Sequence, residues 1–133
     1  LEGVELPFVD VPPAPMRTVE AIVAPGHSAQ APVCVTSRTG SASRRFVFFR
    51  GLFDYLHDET PKARLITASQ TFRQQAGRAF AAEFLAPAEI LKGMLPSSEV
   101  VNEDVSEMAA ALGVSEYVVR HQIRNHQLGV LAE

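Results

Sequence analysis

Two stretches carry the clearest periodicity of apolar and polar positions, residues 44–56 (RRFVFFRGLFDYL) and 71–87 (TFRQQAGRAFAAEFLAP). In the first, Phe46, Phe49, Phe53 and Leu56 recur at three- and four-residue steps, the spacing of one helical face. In the second, Phe72, Ala76, Ala79, Phe80 and Phe84 do the same. Alanines at 76, 79, 81 and 82 allow a neighbouring backbone to come close. These features predict two helices packed on each other as the core.

Residues 1–42 read as strand and loop. Runs at 4–6, 18–23 and 33–36 are β-type, and Pro25-Gly26 follows the second. The Pro-rich run at 11–15 is no central strand, because proline offers no ladder donor. A small antiparallel sheet lying on the first helix is expected. Ser43 is the expected N-cap of that helix, which should end near His57, and Pro61 breaks the chain after it. Residues 65–68 form a short apolar run leading into the second helix, capped by Ser69 or Thr71. Pro87 ends that helix or starts a short one reaching Leu91. Val105, Met108, Ala109 and Leu112 mark a helix stopping at Gly113. Ser115 caps a last helix marked by Val118, Val119 and Ile123. Ala109, Gly113 and Val119 follow the helix-turn-helix spacing, with a close contact, a turn and a residue packing the second helix back.

Composition narrows the class. The length of 133 residues fits one domain with a real core. It divides into sheet and loops at 1–42, core helices at 43–95 and a helix-turn-helix-like tail at 96–133. The net charge of −3 argues against broad nucleic-acid binding, though not against a local basic patch. The lone Cys34 excludes an internal disulfide and suggests a reducing, cytoplasmic setting; within its β-type run it reads as a small buried residue. No apolar run approaches a membrane span, and no signal peptide is visible. The chain begins at Leu1, which suggests a fragment with a domain preceding it.

The two helical stretches resemble the ImmA/IrrE family of zinc-dependent metallopeptidase-like domains. Arg45-Phe46 and the apolar Leu52 and Leu56 match the family's first helix, R-F-x-x-x-H-E-L-G-H-x-L. Phe80-Ala-Ala-Glu-Phe-Leu-Ala-Pro87 matches the second, E-x-x-A-N-x-F-A-x-E-L-L-x-P. The resemblance implies an α+β fold: two packed helices against a small sheet, then a helical tail. The catalytic positions depart from the pattern. Arg50, Gly51 and Asp54 stand where the family has His, Glu and His, and Gln74 stands at the third ligand. Arginine does not lose its proton to bind a cation, glycine has no base, and glutamine is a weak neutral ligand. The chain is therefore expected to hold no metal and no cofactor.

Arg50, Asp54, Gln74 and Arg78 should then share the vacated region, with Arg50 between the helices and close to Asp54. Two readings of this quartet stand side by side: a pocket for a small anionic ligand, or an ion pair replacing the metal cross-link, which we favour. A mid-helix glycine such as Gly51 is often kept because something packs closely there. The i, i+3, i+4 set Asp54, His57 and Asp58 is a polar helix end rather than a makeshift metal site, and His27 is a loop histidine. Glu83 reads as a structural anchor to an arginine or to backbone N–H groups.

The function expected is a non-catalytic regulatory or ligand-sensing module, part of a bacterial transcriptional regulator with an adjoining DNA-binding domain. The alternative is DNA binding through the last helix, where Arg120, His121, Arg124 and Asn125 cluster beside His126. A metal-dependent peptidase is the remote third reading. Oligomeric state is not legible.

Overall fold

The computed structural model describes residues 8–10, 19–26, 32–57 and 62–132. The expected strand at 4–6, the Pro-rich run, His27, Asp58 and Pro61 lie outside these. The chain divides into two compact units, Leu1–Ala81 and Ala82–Glu133, with the division inside the second core helix.

The first unit contains β1 (Phe8–Asp10), β2 (Val19–Pro25), β3 (Pro32–Thr36), α1 (Ser41–His57), β4 (Arg64–Thr67) and most of α2 (Phe72–Leu85). Among the described residues the sheet order is β1-β3-β2-β4. β2 pairs antiparallel with β3 (Val23 opposite Cys34) and with β4 (Ile22 opposite Leu65). The sheet is mixed rather than purely antiparallel, because β1 runs parallel to β3. Prolines 12, 13 and 15 lie between β1 and β2, which are not joined by a tight hairpin.

Burial alternates along the strands. Ala21, Val23, Cys34 and Ile66 face inward and meet Val47 of α1, with Phe48 packed alongside. This is the two-residue period of a sheet covered on one face.

The helices turn different faces inward from those expected. In α1 the buried residues are Val47, Phe49, Arg50, Gly51 and Asp54, whereas Leu56 is 62% exposed. The line 47, 50, 51, 54 points at the sheet, although half of it is polar. The helix is apolar on several sides between Phe46 and Phe53, so hydrophobicity alone does not fix its rotation. In α2 the buried line is Gly77, Ala81 and Leu85. Phe72 is 88% and Phe84 50% exposed. A Cβ on Gly77 would lie 3.6 Å from the Arg50 carbonyl oxygen, an ordinary contact with the backbone of α1. Phe53 and Phe80 add a tilted ring contact at 5.5 Å.

The second unit contains α3 (Ala88–Met94), β5 (Glu99–Val100), α4 (Asn102–Leu112), α5 (Glu116–Asn125) and β6 (Val130–Leu131). Gly113 ends α4 at φ 64°, and its N–H bonds back to the last turn. The Ser115 side chain accepts from Val118 N at 3.4 Å and opens α5. Leu91, Val105, Met108, Ala109, Val118, Val119 and Ile123 are buried. β5 and β6 pair in parallel, an element the sequence did not announce. Gly129 permits it: a Cβ there would lie 2.9 Å from both the Ser98 oxygen and Val100 Cγ2.

Candidate functional site

The third turn of α1 lies over the sheet so closely that no side chain fits at Gly51. A Cβ built there would lie 2.2 Å from Val23 Cγ2. One residue earlier, Arg50 is 3% exposed and reaches down toward the strands. Its Nη1 donates to a Glu20 carboxylate oxygen on β2. Its Nη2 donates to the Thr67 carbonyl at 2.6 Å and to Gln74 Oε1 at 2.9 Å. One guanidinium thus ties together α1, β2, β4 and the start of α2. Burial lowers the Arg50 pKa from its ordinary value, while the bond and charge of Glu20 oppose the shift. An arginine in such a bonded position remains a cation.

Glu20 is the residue that sequence reasoning missed. Its neighbours alternate as an ordinary strand, but the β2–β4 register slips between Val19 and Ala21. A bulge of this kind re-aims a side chain, and Glu20 serves both Arg50 and Arg38. Thr36 Oγ1 donates to the Glu20 carbonyl at 2.7 Å and holds the backbone there.

Gln74 has two roles. Its Oε1 accepts from Arg50 and also from Thr67 N at 3.2 Å, while Nε2 donates to Leu65 O at 3.2 Å. The side-chain amide therefore satisfies outward-facing groups of the terminal strand β4, as a neighbouring strand would.

The expected Arg50–Asp54 pair does not form. Helical side chains lean toward the N-terminus, so Arg50 is directed away from the residue one turn later. Asp54 is also buried, but its Oδ1 accepts from Arg73 Nε at 2.9 Å. Its backbone carbonyl accepts from Arg64 Nη1 at 2.9 Å. Among the described residues Asp54 Oδ2 is buried without a hydrogen-bond partner. Arg78 turns from the quartet to Ser69 O at 2.9 Å and Gln70 Oε1 at 3.2 Å. The structure thus joins Arg50 to Gln74 and assigns Asp54 and Arg78 to other partners.

These residues do not fit a zinc ion. A cation already occupies the Arg50 position, the Gly51 position has no room for a carboxylate, and the free oxygen of Asp54 lies on a side chain bonded to Arg73. Among the described residues no group of three or more His, Cys, Asp or Glu is placed to hold a metal. His57 Nδ1 lies 2.8 Å from its own helix's Phe53 O, and its ring stacks on Phe53. Cys34 is fully buried, and burial pushes its thiol up to about 11, so it is protonated at neutral pH.

In the second unit, Glu83 is a half-exposed anchor. It accepts from Ala88 N at 3.2 Å and from Gln122 Nε2 at 2.7 Å, with His126 at 3.5 Å. The anchor therefore takes a backbone N–H, as expected, and a glutamine in place of an arginine. On α5, Arg120 donates to Asn102 Oδ1 at 2.6 Å and lies 4.0 Å from Glu116. His121 makes a tilted ring contact with Tyr117, with centroids 4.2 Å apart, and Arg124 and Asn125 are exposed. Among the described residues no helix is long and apolar enough to cross a membrane. No family model matches the chain, and no curated protein matches it.

Proposed function

We propose that the chain is a non-catalytic regulatory or sensing module on a metallopeptidase-like scaffold of the ImmA/IrrE kind, acting in the cytoplasm within a bacterial transcriptional regulator. One observation carries the reading: Arg50 and Gln74, which stand at two metal-ligand positions of that scaffold, bond to each other at 2.9 Å. Side chains aimed at a common point should meet there, and a fixed guanidinium now supplies the positive charge. Both terminal nitrogens of Arg50 already have acceptors, and among the described residues only its buried Nε lacks one. This favours an internal cross-link over a pocket for a small anion. Regulation would then work through surfaces and an adjoining DNA-binding domain rather than through chemistry.

The DNA-binding alternative rests on the helix-turn-helix-like α4–Gly113–α5 segment. The exposed Arg124 and Asn125 favour it, whereas Arg120 is already bonded within the unit and α4 carries Glu103, Asp104 and Glu107. Elemental analysis and protease assays on the purified chain test the main reading. It expects no stoichiometric zinc and no chelator-sensitive cleavage. One tightly held zinc per chain, or cleavage lost in Asp54→Ala, would overturn it.

A further inference from the structure

The second unit carries a surface cleft of about 300 Å³ lined by Met94, Pro96, Asp104, Glu107, Met108 and Ala111. Met94, Pro96, Met108 and Ala111 give it an apolar part, and Asp104 and Glu107 give it a polar one. Met108 is 3% exposed, and Met94 stands at the end of α3 with 36% of its surface open. Asp104, Glu107, Met108 and Ala111 follow three- and four-residue steps, so one face of α4 forms a side of the cleft.

The charge on that face is one-sided. Among the described residues, Glu103, Asp104 and Glu107 make no ion pair; Asp104 spends one oxygen on Val101 N at 3.0 Å. Glu103 and Asp104 sit in the first turn of α4, where the helix dipole favours them. Glu107 lies beyond that turn, so the dipole does not account for it.

We propose that this cleft docks a cationic amphipathic segment of a partner protein. An apolar side chain of the partner rests on Met94 and Met108, and flanking Lys or Arg residues meet Glu107 and Asp104. Unbranched thioethers adapt to differently shaped apolar anchors. The carboxylates supply charge complementarity, which favours encounter with a basic partner and repels an acidic one. The same carboxylates disfavour phosphate and nucleic acid. This proposal does not depend on the fate of the zinc site.

The probe is a twelve-residue amphipathic Lys/Leu peptide titrated into the whole chain, with a Glu/Leu peptide of the same pattern as control. Calorimetry gives affinity, and amide chemical shifts give location. The expected result is saturable one-to-one binding of the Lys/Leu peptide, with shifts concentrated in residues 94–111. Glu107→Lys should weaken it by about tenfold, and Met94→Ser should weaken it with little change in salt dependence. Both positions are exposed, and circular dichroism checks that the variants stay folded. Equal binding of the Glu/Leu peptide, unchanged affinity in both variants, shifts centred elsewhere or no saturable binding would each overturn the proposal. So would a dimer of this chain that disappears in Glu107→Lys, which would make a second copy the occupant.

Discussion

Substituting Gly51 by alanine adds one methyl group where α1 crosses β2. In most helices this change is favourable by about 1 kcal/mol, because alanine has the better helix propensity. Here the new Cβ would lie 2.2 Å from Val23 Cγ2 and 3.3 Å from Val23 Cβ. Ordinary carbon contacts begin near ~3.5 Å, so the methyl is more than an ångström too close. Val23 is 3% exposed and belongs to the strand paired with both β3 and β4, so it has little freedom to retreat. Overpacking of this kind costs about 1–3 kcal/mol. Because the overlap is deep and the neighbour rigid, we take the upper end. Subtracting the helical gain leaves a net loss of about 2 kcal/mol, or roughly 6 °C in Tm. The assay is a double-mutant cycle by thermal and urea denaturation. Val23→Ala alone should destabilise by opening a cavity. Combined with Gly51→Ala, it should recover stability relative to the sum of the two single changes, with a coupling of about 1–2 kcal/mol. Gly51→Ala as stable as the parent, or strict additivity with Val23→Ala, would refute the close approach of α1 to the sheet.

Other consequences follow from the buried charges and the thiol. Arg50→Ala removes the donor to Glu20, Thr67 and Gln74 and should cost about 3 kcal/mol, the low end for a broken buried pair because Arg38 still holds Glu20. Arg50→Met with Glu20→Gln should cost less than the sum of the single changes, and additivity in urea melts would show that the pair is not coupled. Cys34 has its folded pKa raised by burial from 9.0 to about 11, so its contribution is intact below pH 9 and is lost as the pH climbs toward 11. Two pKa units correspond to about 3 kcal/mol. Stability between pH 8 and pH 11 should therefore fall less steeply in Cys34→Ala than in the parent; parallel curves would contradict the burial of the thiol.

The sequence announced most elements but not the rotation of the helices. Turn and cap chemistry carried the second unit: Gly113 and Ser115 act locally, so their roles are visible in a short window. The strands at β2 and β3 were legible as β-type runs, whereas β4 read only as a short apolar run before the second helix. The faces of α1 and α2 were not. Phe residues surround α1, and what turns Arg50 and Asp54 inward is a set of partners from distant segments, Glu20, Arg64 and Arg73. The bulge at Glu20 has no signature in its own neighbours. The pairing of β5 with β6 depends on space at Gly129 and on only two residues per strand, too few for periodicity to register. At the site, the poor fit of Arg50, Gly51 and Gln74 to a metal could be read from residue types alone. The network around Arg50 needed coordinates, because its partner Glu20 lies 30 positions away along the chain.

The central claim is the proposal that Arg50, Asp54 and Gln74 occupy the ligand positions of a metallopeptidase-like scaffold. The direct test is to return ligand chemistry to those positions: Arg50→His, Asp54→His and Gln74→Glu together, leaving Gly51 unchanged because a side chain there would strike Val23. Two imidazoles one turn apart and a carboxylate from α2 form a three-ligand zinc set. Zinc affinity is measured by competition with a chromophoric chelator, and cobalt substitution reports the coordination geometry. The account predicts one tightly bound zinc per folded triple variant, a four-coordinate cobalt spectrum and no such binding by the parent chain. A triple variant that folds, as judged by circular dichroism, yet binds no zinc would contradict it.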